Sequence, residues 1–329
     1  MFKGLTVNKS EEGEVTASIE QLEDTFLPKE GEVIMRVHYA GLNYKDGLCL
    51  NGLGALIREY PRIPGVECSG EVLESSDERY KPGDKVVMTG WRFGEIWHGG
   101  YAEKAKVKAD WLVPLVEGIS LRQSMIFGTA ALTAVLGVQA LEKCGITEGS
   151  GEILVTGAAG GVGSLSILLL AANGYEVAAV TGRVEEAGDY LRSLGVQTLV
   201  PRDELAEPIK KPLESARWAG CIDNVGGQIL GRILGQMKYG GTIASIGNAG
   251  GNELPTNVLP FLLRAVNLMG IDSVFQPYEA CMSGWNRLVK EFPLDRLEDM
   301  ATEISLDEVP NAGKKILNGQ TKGRWIIAL

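Results

Sequence analysis

Histidine is nearly missing from this chain, which has two in 329 residues. Cysteine is sparse too: Cys49, Cys68, Cys144, Cys221 and Cys281, five in all and none in a C-x-x-C pair. An odd number cannot pair completely within one chain, and a reducing compartment fits best. Positive charge is also short. Lys and Arg number 32 against 42 Asp and Glu, a net charge of -10, and a nucleic-acid-binding protein needs a basic face. A local basic pocket for a phosphorylated cofactor stays open. The start, Met1-Phe2-Lys3-Gly4-Leu5, lacks the apolar run of a signal peptide, and the apolar stretches read as far short of a membrane span. A cytoplasmic protein is expected.

What the chain has in quantity is glycine, 43 residues. Many glycines mean tight turns, or backbone that must approach a ligand closely. The length points to about two domains. The first third reads as short strands between turns. Val33–Tyr39, Gly65–Val72 and Lys85–Met88 are β-rich, and Lys81-Pro82-Gly83-Asp84 is a turn. The character changes near residue 120, where Ser120 is a plausible N-cap for a helix. From there Ile153–Thr156, Glu176–Thr181, Thr198–Val200, Cys221–Asn224 and Thr242–Ile246 read as buried strands, with helical patterns between most of them. That alternation predicts an α/β fold with a doubly wound parallel sheet. A last strand is expected at Arg324–Ala328, returning to the β-rich part.

The sharpest local signal is Ile153-Leu154-Val155-Thr156-Gly157-Ala158-Ala159-Gly160-Gly161-Val162-Gly163-Ser164. An apolar strand enters a glycine-rich turn and then an apolar helix, Leu165–Ala172. The glycines admit a pyrophosphate against the backbone, and the helix N-terminus offers free N–H groups. Of the three fingerprint glycines, Ala158 replaces the first, while Gly160 and Gly163 keep the others. The end of the next strand reads the cofactor's ribose, and an NAD binder places Asp or Glu there. This chain has Val180-Thr181-Gly182-Arg183. Arg183 can pair with a 2′-phosphate, Thr181 can donate its hydroxyl, and no carboxylate repels the phosphate, so NADPH is the predicted cofactor. Arg202, after the third strand, either stacks on adenine, adds charge, or is simply solvated. Glu185 and Glu186 suit the positive end of the next helix.

On these residues the chain resembles the medium-chain dehydrogenase/reductase superfamily, and within it the zinc-independent, quinone-oxidoreductase-like branch that includes acryloyl-CoA reductases. Further stretches that carry the resemblance are Gly41–Asp46, Ile63–Glu67, Gly128–Ala130, Ile222–Gly227 and Gly270–Val274. The resemblance implies a GroES-like catalytic domain from residues 1–122 and 295–329, beside a Rossmann domain at 123–294. Zinc-dependent members have a cysteine where Asn43 stands and a histidine where Val66 stands. Valine cannot bind a metal and an amide oxygen is a poor zinc ligand, and the four close cysteines of a second zinc site are absent. No metal is therefore expected, and His38 and His98 read as isolated strand or surface residues. Cofactor contacts implied by the resemblance are Tyr44, Ala159, Gly160, Gly161, Val162, Thr181, Gly182, Arg183, Arg202, Asn248, Leu262, Ser273 and Asn318.

The activity so implied is NADPH-dependent reduction of the C=C bond of a 2-enoyl-CoA, with acryloyl-CoA to propanoyl-CoA as the leading case. Alternatives are an NADPH:quinone reductase or a non-enzymatic cofactor-binding protein. Asn43, Tyr44 and Lys45 are the expected catalytic residues. Asn43 either donates to the developing enolate oxygen or positions the ribose. Tyr44 either returns a proton or lines the cofactor site. Lys45 supplies charge or is solvated, and Asp46 orients the loop. A CoA thioester calls for a basic mouth, for which Arg92, Lys104, Arg264 and Arg287 are available. Trp91–Gly94 forms a cleft wall or a packed loop. A homodimer that extends the sheet through Gly241–Asp272 is also implied.

Overall fold

A computed structural model of the chain describes every residue except Pro208 and Lys210. Strands β1 (Phe2–Lys9) and β2 (Val15–Leu22) form an antiparallel hairpin. Strand β3 (Val33–Leu42) runs into the short helix α1 (Tyr44–Leu50), followed by β4 (Glu67–Ser75), β5 (Lys85–Thr89), β6 (Lys104–Val107) and β7 (Leu112–Pro114). After helix α2 (Leu121–Lys143) come β8 (Ile153–Val155), α3 (Gly161–Ala172), β9 (Val177–Thr181), α4 (Val184–Ser193), β10 (Thr198–Pro201) and α5 (Arg202–Ala206). Next are β11 (Trp218–Asp223), α6 (Gly227–Gln236), β12 (Met237–Ser245), α7 (Leu259–Arg264) and β13 (Asn267–Gly270). Helix α8 (Tyr278–Glu291), β14 (Ala301–Ser305), α9 (Val309–Leu317) and β15 (Arg324–Ala328) complete the chain.

Two compact units result, one of Met1–Thr129, Val274–Val289 and Leu294–Leu329, the other of Ala130–Ser273 and Lys290–Pro293. The division differs from boundaries at 122 and 295. Gly128, at φ 50° and ψ -158°, kinks α2, and the turns before the kink stay with the first unit. Most of α8 stays there too, with buried Trp285 packed edge-on against Phe127 at 6.3 Å.

The first unit is built on a sheet ordered β14-β15-β3-β4-β5-β7, with β6 also paired to β3. The last strand, β15, lies between β14 and β3, so the chain end closes a sheet begun by residues 33–42. Its register sets Trp325 opposite Leu42, which carries Arg324 to the neighbourhood of Asn43. The core of Leu5, Val33, Met35, Ile63, Met88 and Phe93 is fully enclosed, and each such side chain contributes about 1.5–3 kcal/mol by leaving water.

The second unit holds six parallel strands ordered β10-β9-β8-β11-β12-β13. Every residue of β8, β9 and β11 is buried, as strands covered on both faces must be. The strand order reverses between β8 and β11, and that switch point is where doubly wound sheets take their ligands. Ser120 does cap α2: its Oγ accepts the Gln123 N–H at 3.1 Å, and Gln123 Oε1 accepts the Ser120 N–H at 3.0 Å. The reading of apolar lengths needs correcting at this helix. Its 23 residues are long and apolar enough to cross a membrane, but 83% of its most apolar window is buried within the protein. Scattered Ser, Thr, Gln and Gly interrupt the apolar run without making the helix polar, as in a core helix enclosed on all sides.

Candidate active site

In the second unit the predicted cofactor residues collect at the carboxyl ends of the strands. Ala159, Gly160, Gly161 and Val162 form the turn after β8 and the first residues of α3, with Gly160 as N-cap. A Cβ on Gly163 would stand 2.4 Å from the Gly157 carbonyl oxygen, so only glycine lets the helix start so close to the turn. Thr181 ends β9, Gly182 follows it, and Arg183 caps α4. Thr181 Oγ1 accepts the Arg183 N–H at 3.0 Å. The Arg202 guanidinium lies over Gly182, where an added Cβ would be 2.8 Å from Cζ. Two arginines thus stand at the end of β9, with Glu185 and Glu186 in the first turn of α4. Asn248, beyond β12, donates from Nδ2 to Asn252 Oδ1 at 2.5 Å. Ser273, beyond β13, accepts the Thr133 hydroxyl hydrogen at 2.7 Å.

Leu262 lies on α7, between β12 and β13. It is 73% exposed on α7, in one apolar surface segment with Val258 and Leu263. The short helix leaves this side chain without a core to enter.

A residue that motif reading passed over is Asn224, at the switch point. Thr156 donates its hydroxyl hydrogen to Asp223 Oδ1 at 2.7 Å and accepts the Asn224 N–H at 2.8 Å. Asn224 Nδ2 donates to the Thr156 carbonyl at 2.7 Å, and Asp223 Oδ2 accepts the Gly226 N–H at 3.0 Å. The amide is therefore oriented, and its buried Oδ1 has no partner among the described residues. An orphaned acceptor at this place is normally met by a ligand or water. The signal was the Ile222–Gly227 stretch, whose role is spatial. Together the close-packed turn, the two arginines after β9 and β10 and this acceptor fit a dinucleotide with a 2′-phosphate.

In the first unit, Asn43, Tyr44 and Lys45 open α1. Asp46 is fully buried; Oδ2 accepts the Asn43 N–H at 2.8 Å and Oδ1 the Val66 N–H at 2.9 Å. Burial pushes its carboxyl up to about 7, against the hydrogen bond from Asn43. Asp46 thus orients the loop. Tyr44 is 41% exposed. Lys45 is not a freely solvated cation: Nζ is 3.0 Å from Oε1 of buried Glu95, whose Oε2 lies 3.1 Å from Arg92 Nε. Trp91 and Arg92 both have left-handed backbone, φ 55° and 56°. That strain is held by the Trp91 N–H donating to the Val274 carbonyl at 2.8 Å, with the ring stacked on Trp111 and edge-on to Phe275. Trp91–Gly94 is therefore packed.

The Asn43 amide meets the chain's last strand. Arg324 Nη1 donates to Asn43 Oδ1 at 3.0 Å, and Arg324 Nη2 donates to Oε1 of fully buried Glu67 at 2.5 Å. Glu67 Oε2 accepts the Thr129 N–H at 2.5 Å. A Cβ on Gly41 would fall 1.8 Å from Glu67 Oε1, and one on Gly128 would fall 2.5 Å from it. The stretches Gly41–Asp46, Ile63–Glu67 and Gly128–Ala130, far apart in sequence, thus surround one carboxylate. Asn318 caps the end of α9 in the same unit and is exposed; α9 crosses α1 where Gly47 faces Gly313.

The predicted basic mouth is largely committed elsewhere. Arg264 donates to the carbonyls of Gly235, Met237 and Glu214, Lys104 pairs with Asp24, and Arg92 with Glu95. These arginine and lysine heads satisfy local acceptors, which charge counting cannot reveal. His98 Nδ1 accepts the Ile63 N–H at 3.2 Å, and burial, with Arg62 nearby, pushes its imidazole down to about 4. His38 lies on β3. No three His, Cys, Asp or Glu among the described residues are grouped to hold a metal ion.

Comparison with known proteins agrees with this geometry. The alcohol dehydrogenase GroES-like domain family matches residues 29–117, and the zinc-binding dehydrogenase family matches residues 161–285. Acrylyl-CoA reductase AcuI of Ruegeria pomeroyi is 56% identical over 328 residues, covering 99% of both chains. The probable acrylyl-CoA reductase AcuI of Escherichia coli is 48% identical over 319 residues, 97% of each. Among solved structures, E. coli YhdH with bound NADPH superposes at a TM-score of 0.96 with 47% identity over 99% of each chain. Bacillus subtilis YhfP with NAD bound superposes at 0.95 with 41% identity, over 100% of this chain and 99% of that one. The chain belongs to the medium-chain dehydrogenase/reductase superfamily, in the quinone-oxidoreductase-like branch that holds the acrylyl-CoA reductases and YhdH-type oxidoreductases.

Proposed function

We infer that this chain is an NADPH-dependent reductase of the C=C bond of a 2-enoyl-CoA, converting acryloyl-CoA to propanoyl-CoA. The observation that carries the reading is full-length similarity, at 56% identity, to an acrylyl-CoA reductase. Arg183 and Arg202 would hold the 2′-phosphate, and the N–H groups of Ala159, Gly161 and Val162 would meet the pyrophosphate, the Gly160 N–H being held by the Gly157 carbonyl at 3.0 Å. Asn224 Oδ1 accepts from a cofactor hydroxyl or amide, while Thr181, Gly182, Asn248, Ser273 and Asn318 complete the contacts. Bound NADPH supplies the hydride, which the β-carbon of the enoyl thioester receives. Negative charge then develops on the thioester oxygen, and Asn43 Nδ2 donates to it. Tyr44 returns a proton to the α-carbon, directly or through water. Lys45, tethered by Glu95, keeps positive charge beside the loop.

Among the described residues strand β13 pairs only with β12 and forms one edge of its sheet. With exposed Val258, Leu262, Leu263 and Met269 nearby in sequence, this edge serves a cytoplasmic homodimer in our reading; a monomer by light scattering contradicts it. The activity is tested by mixing purified protein with NADPH and acryloyl-CoA and following the loss of reduced-nicotinamide absorbance. Turnover supports the reading. No turnover there, with turnover of quinones, replaces it by the quinone-reductase reading that the name of the B. subtilis relative, a putative quinone oxidoreductase 40% identical to this chain, keeps open.

A further inference from the structure

Arg324 is buried and makes five hydrogen bonds, matching the five N–H donors of a guanidinium. Nε donates to the Ile126 carbonyl at 2.9 Å, Nη1 to the Leu42 carbonyl at 3.3 Å and to Asn43 Oδ1 at 3.0 Å, and Nη2 to Glu67 Oε1 at 2.5 Å and the Met125 carbonyl at 3.2 Å. The planar fork is thus fixed along both arms. Four of these contacts suffice to seat a buried cation; the fifth, to Asn43, is the one that reaches the loop assigned to the chemistry.

A guanidinium has only donors, so the Asn43 group facing it must be the amide oxygen. The amide nitrogen is consequently turned away. It is buried, and it has no hydrogen-bond partner among the described residues. An unpartnered buried N–H carries a cost of roughly 1–3 kcal/mol, and a freely rotating amide would avoid it by presenting its oxygen outward or taking another partner. Here Arg324 forbids the flip. Glu67 in turn fixes Arg324, and the Thr129 N–H fixes Glu67 at the kink of α2. Asp46 holds the loop backbone, and the Asn43 side chain also faces the Asp46 N–H as the other half of a capping box, so the local turn brings the amide oxygen to the side where Arg324 fixes it.

We propose that Arg324 is a positioning residue: it sets the Asn43 amide with its oxygen inward and leaves Nδ2 as a committed donor to the thioester oxygen. The proposal rests on the donor role given to Asn43 above. It also gives the C-terminal strand a part in the reaction, although it contributes no group that touches substrate.

The test is a double-mutant cycle in the full-length enzyme, with kcat for acryloyl-CoA as the readout and NADPH affinity and near-ultraviolet circular dichroism as controls. Arg324→Lys keeps the charge opposite Glu67 but offers three donors to five acceptors. The expected result is native folding, NADPH affinity within about twofold of wild type and a kcat lowered about 10- to 100-fold, the range for a misplaced oxyanion donor. In an Asn43→Ala background the same substitution is expected to change kcat by less than about twofold, because the group it positions is gone. If Arg324→Lys does not fold, Arg324→Met with Glu67→Met removes both buried charges together, a change that buried pairs often tolerate, and the same cycle is read on it. Wild-type kcat in the Arg324 variant, or a loss that persists undiminished in the Asn43→Ala background, overturns the positioning role while leaving the donor role intact. Wild-type kcat in Asn43→Ala alone overturns the donor role, and the positioning role falls with it.

Discussion

The turn after β8 is shaped by close backbone packing and by the nearby Ser164 hydroxyl on the Ala158 carbonyl, whereas the loop before α1 is held by groups from three distant places in the chain, the Glu67 and Arg324 side chains and the Thr129 N–H. In the turn, Gly163 lets the first turn of α3 lie against the Gly157 carbonyl, and what it offers a ligand is a row of N–H groups. In the loop, Asp46 holds the backbone while Glu67, Thr129 and Arg324 hold one amide. The first arrangement is read from a dozen consecutive residues. The second cannot be, since its parts are 281 residues apart at the extreme. A pyrophosphate is a large anion that many N–H groups recognise together, and a small error in any one is tolerated. A single oxyanion needs one donor in one orientation, and that demands buried, fully bonded support.

The comparison is broken most severely at Glu67. Glu67→Ala leaves Arg324 buried and unpaired, and denaturant unfolding is expected to show a loss of about 3–5 kcal/mol; a loss under about 1 kcal/mol would mean that the pair does not organise the loop. Next comes Gly163→Val, which sets a side chain against the Gly157 carbonyl. NADPH affinity is expected to fall about 100-fold or more by fluorescence titration, and retention within threefold would deny the turn its close-approach role. Arg183→Ala sharpens the cofactor side. Loss of a charge-assisted bond of about 1.5–3 kcal/mol is expected to weaken NADPH about 10- to 100-fold and leave NADH unchanged, and equal weakening of both would remove the 2′-phosphate from its role.

The smallest expected effect concerns pH. The His98 imidazole is lowered to about 4 in the fold, so the unfolded chain binds the extra proton between about 4 and its ordinary value near 6.5. Its contribution to stability is therefore complete above that window and lost as pH falls through it. Asp46, raised to about 7, acts in the opposite sense and loses stability as pH rises from the ordinary carboxylate range toward 7. His98→Gln removes only the first. Relative to wild type, the variant's unfolding free energy is expected to improve as pH falls from 7 to 4.5, by an amount on the order of 1 kcal/mol after solvent screening, read by denaturant unfolding at the two pH values. A pH-independent difference between the two proteins would assign His98 no such shift.

The legible part of the fold was the second unit, because strand, turn and helix there follow one another in sequence and each strand is buried on both faces. Arg183 could be read beside Thr181 because cofactor selectivity is decided at one strand end. Asn224 was missed because its significance lies in the orphaned Oδ1 left after Nδ2 bonds to Thr156, and composition carries no trace of that. Lys45 and Arg92 read as available cations until Glu95 was found between them. Leu262 reads as a cofactor contact by resemblance alone, since nothing about an apolar side chain exposed on a short helix marks it as one. Gly41, Gly128 and Glu67 were visible only as motif letters. Their shared reason is volume, since the glycines make room for a carboxylate contributed by another strand.

In the proposed reaction the enzyme delivers hydride to the β-carbon of an enoyl thioester and stabilises the resulting enolate oxygen. The most direct test is a single turnover of acryloyl-CoA with NADPH carrying deuterium in the transferable position, followed by mass spectrometry and NMR of the product. The expected product is propanoyl-CoA with one deuterium at C3 and a solvent-derived hydrogen at C2; deuterium at C2, or no labelled propanoyl-CoA at all, would contradict this reaction.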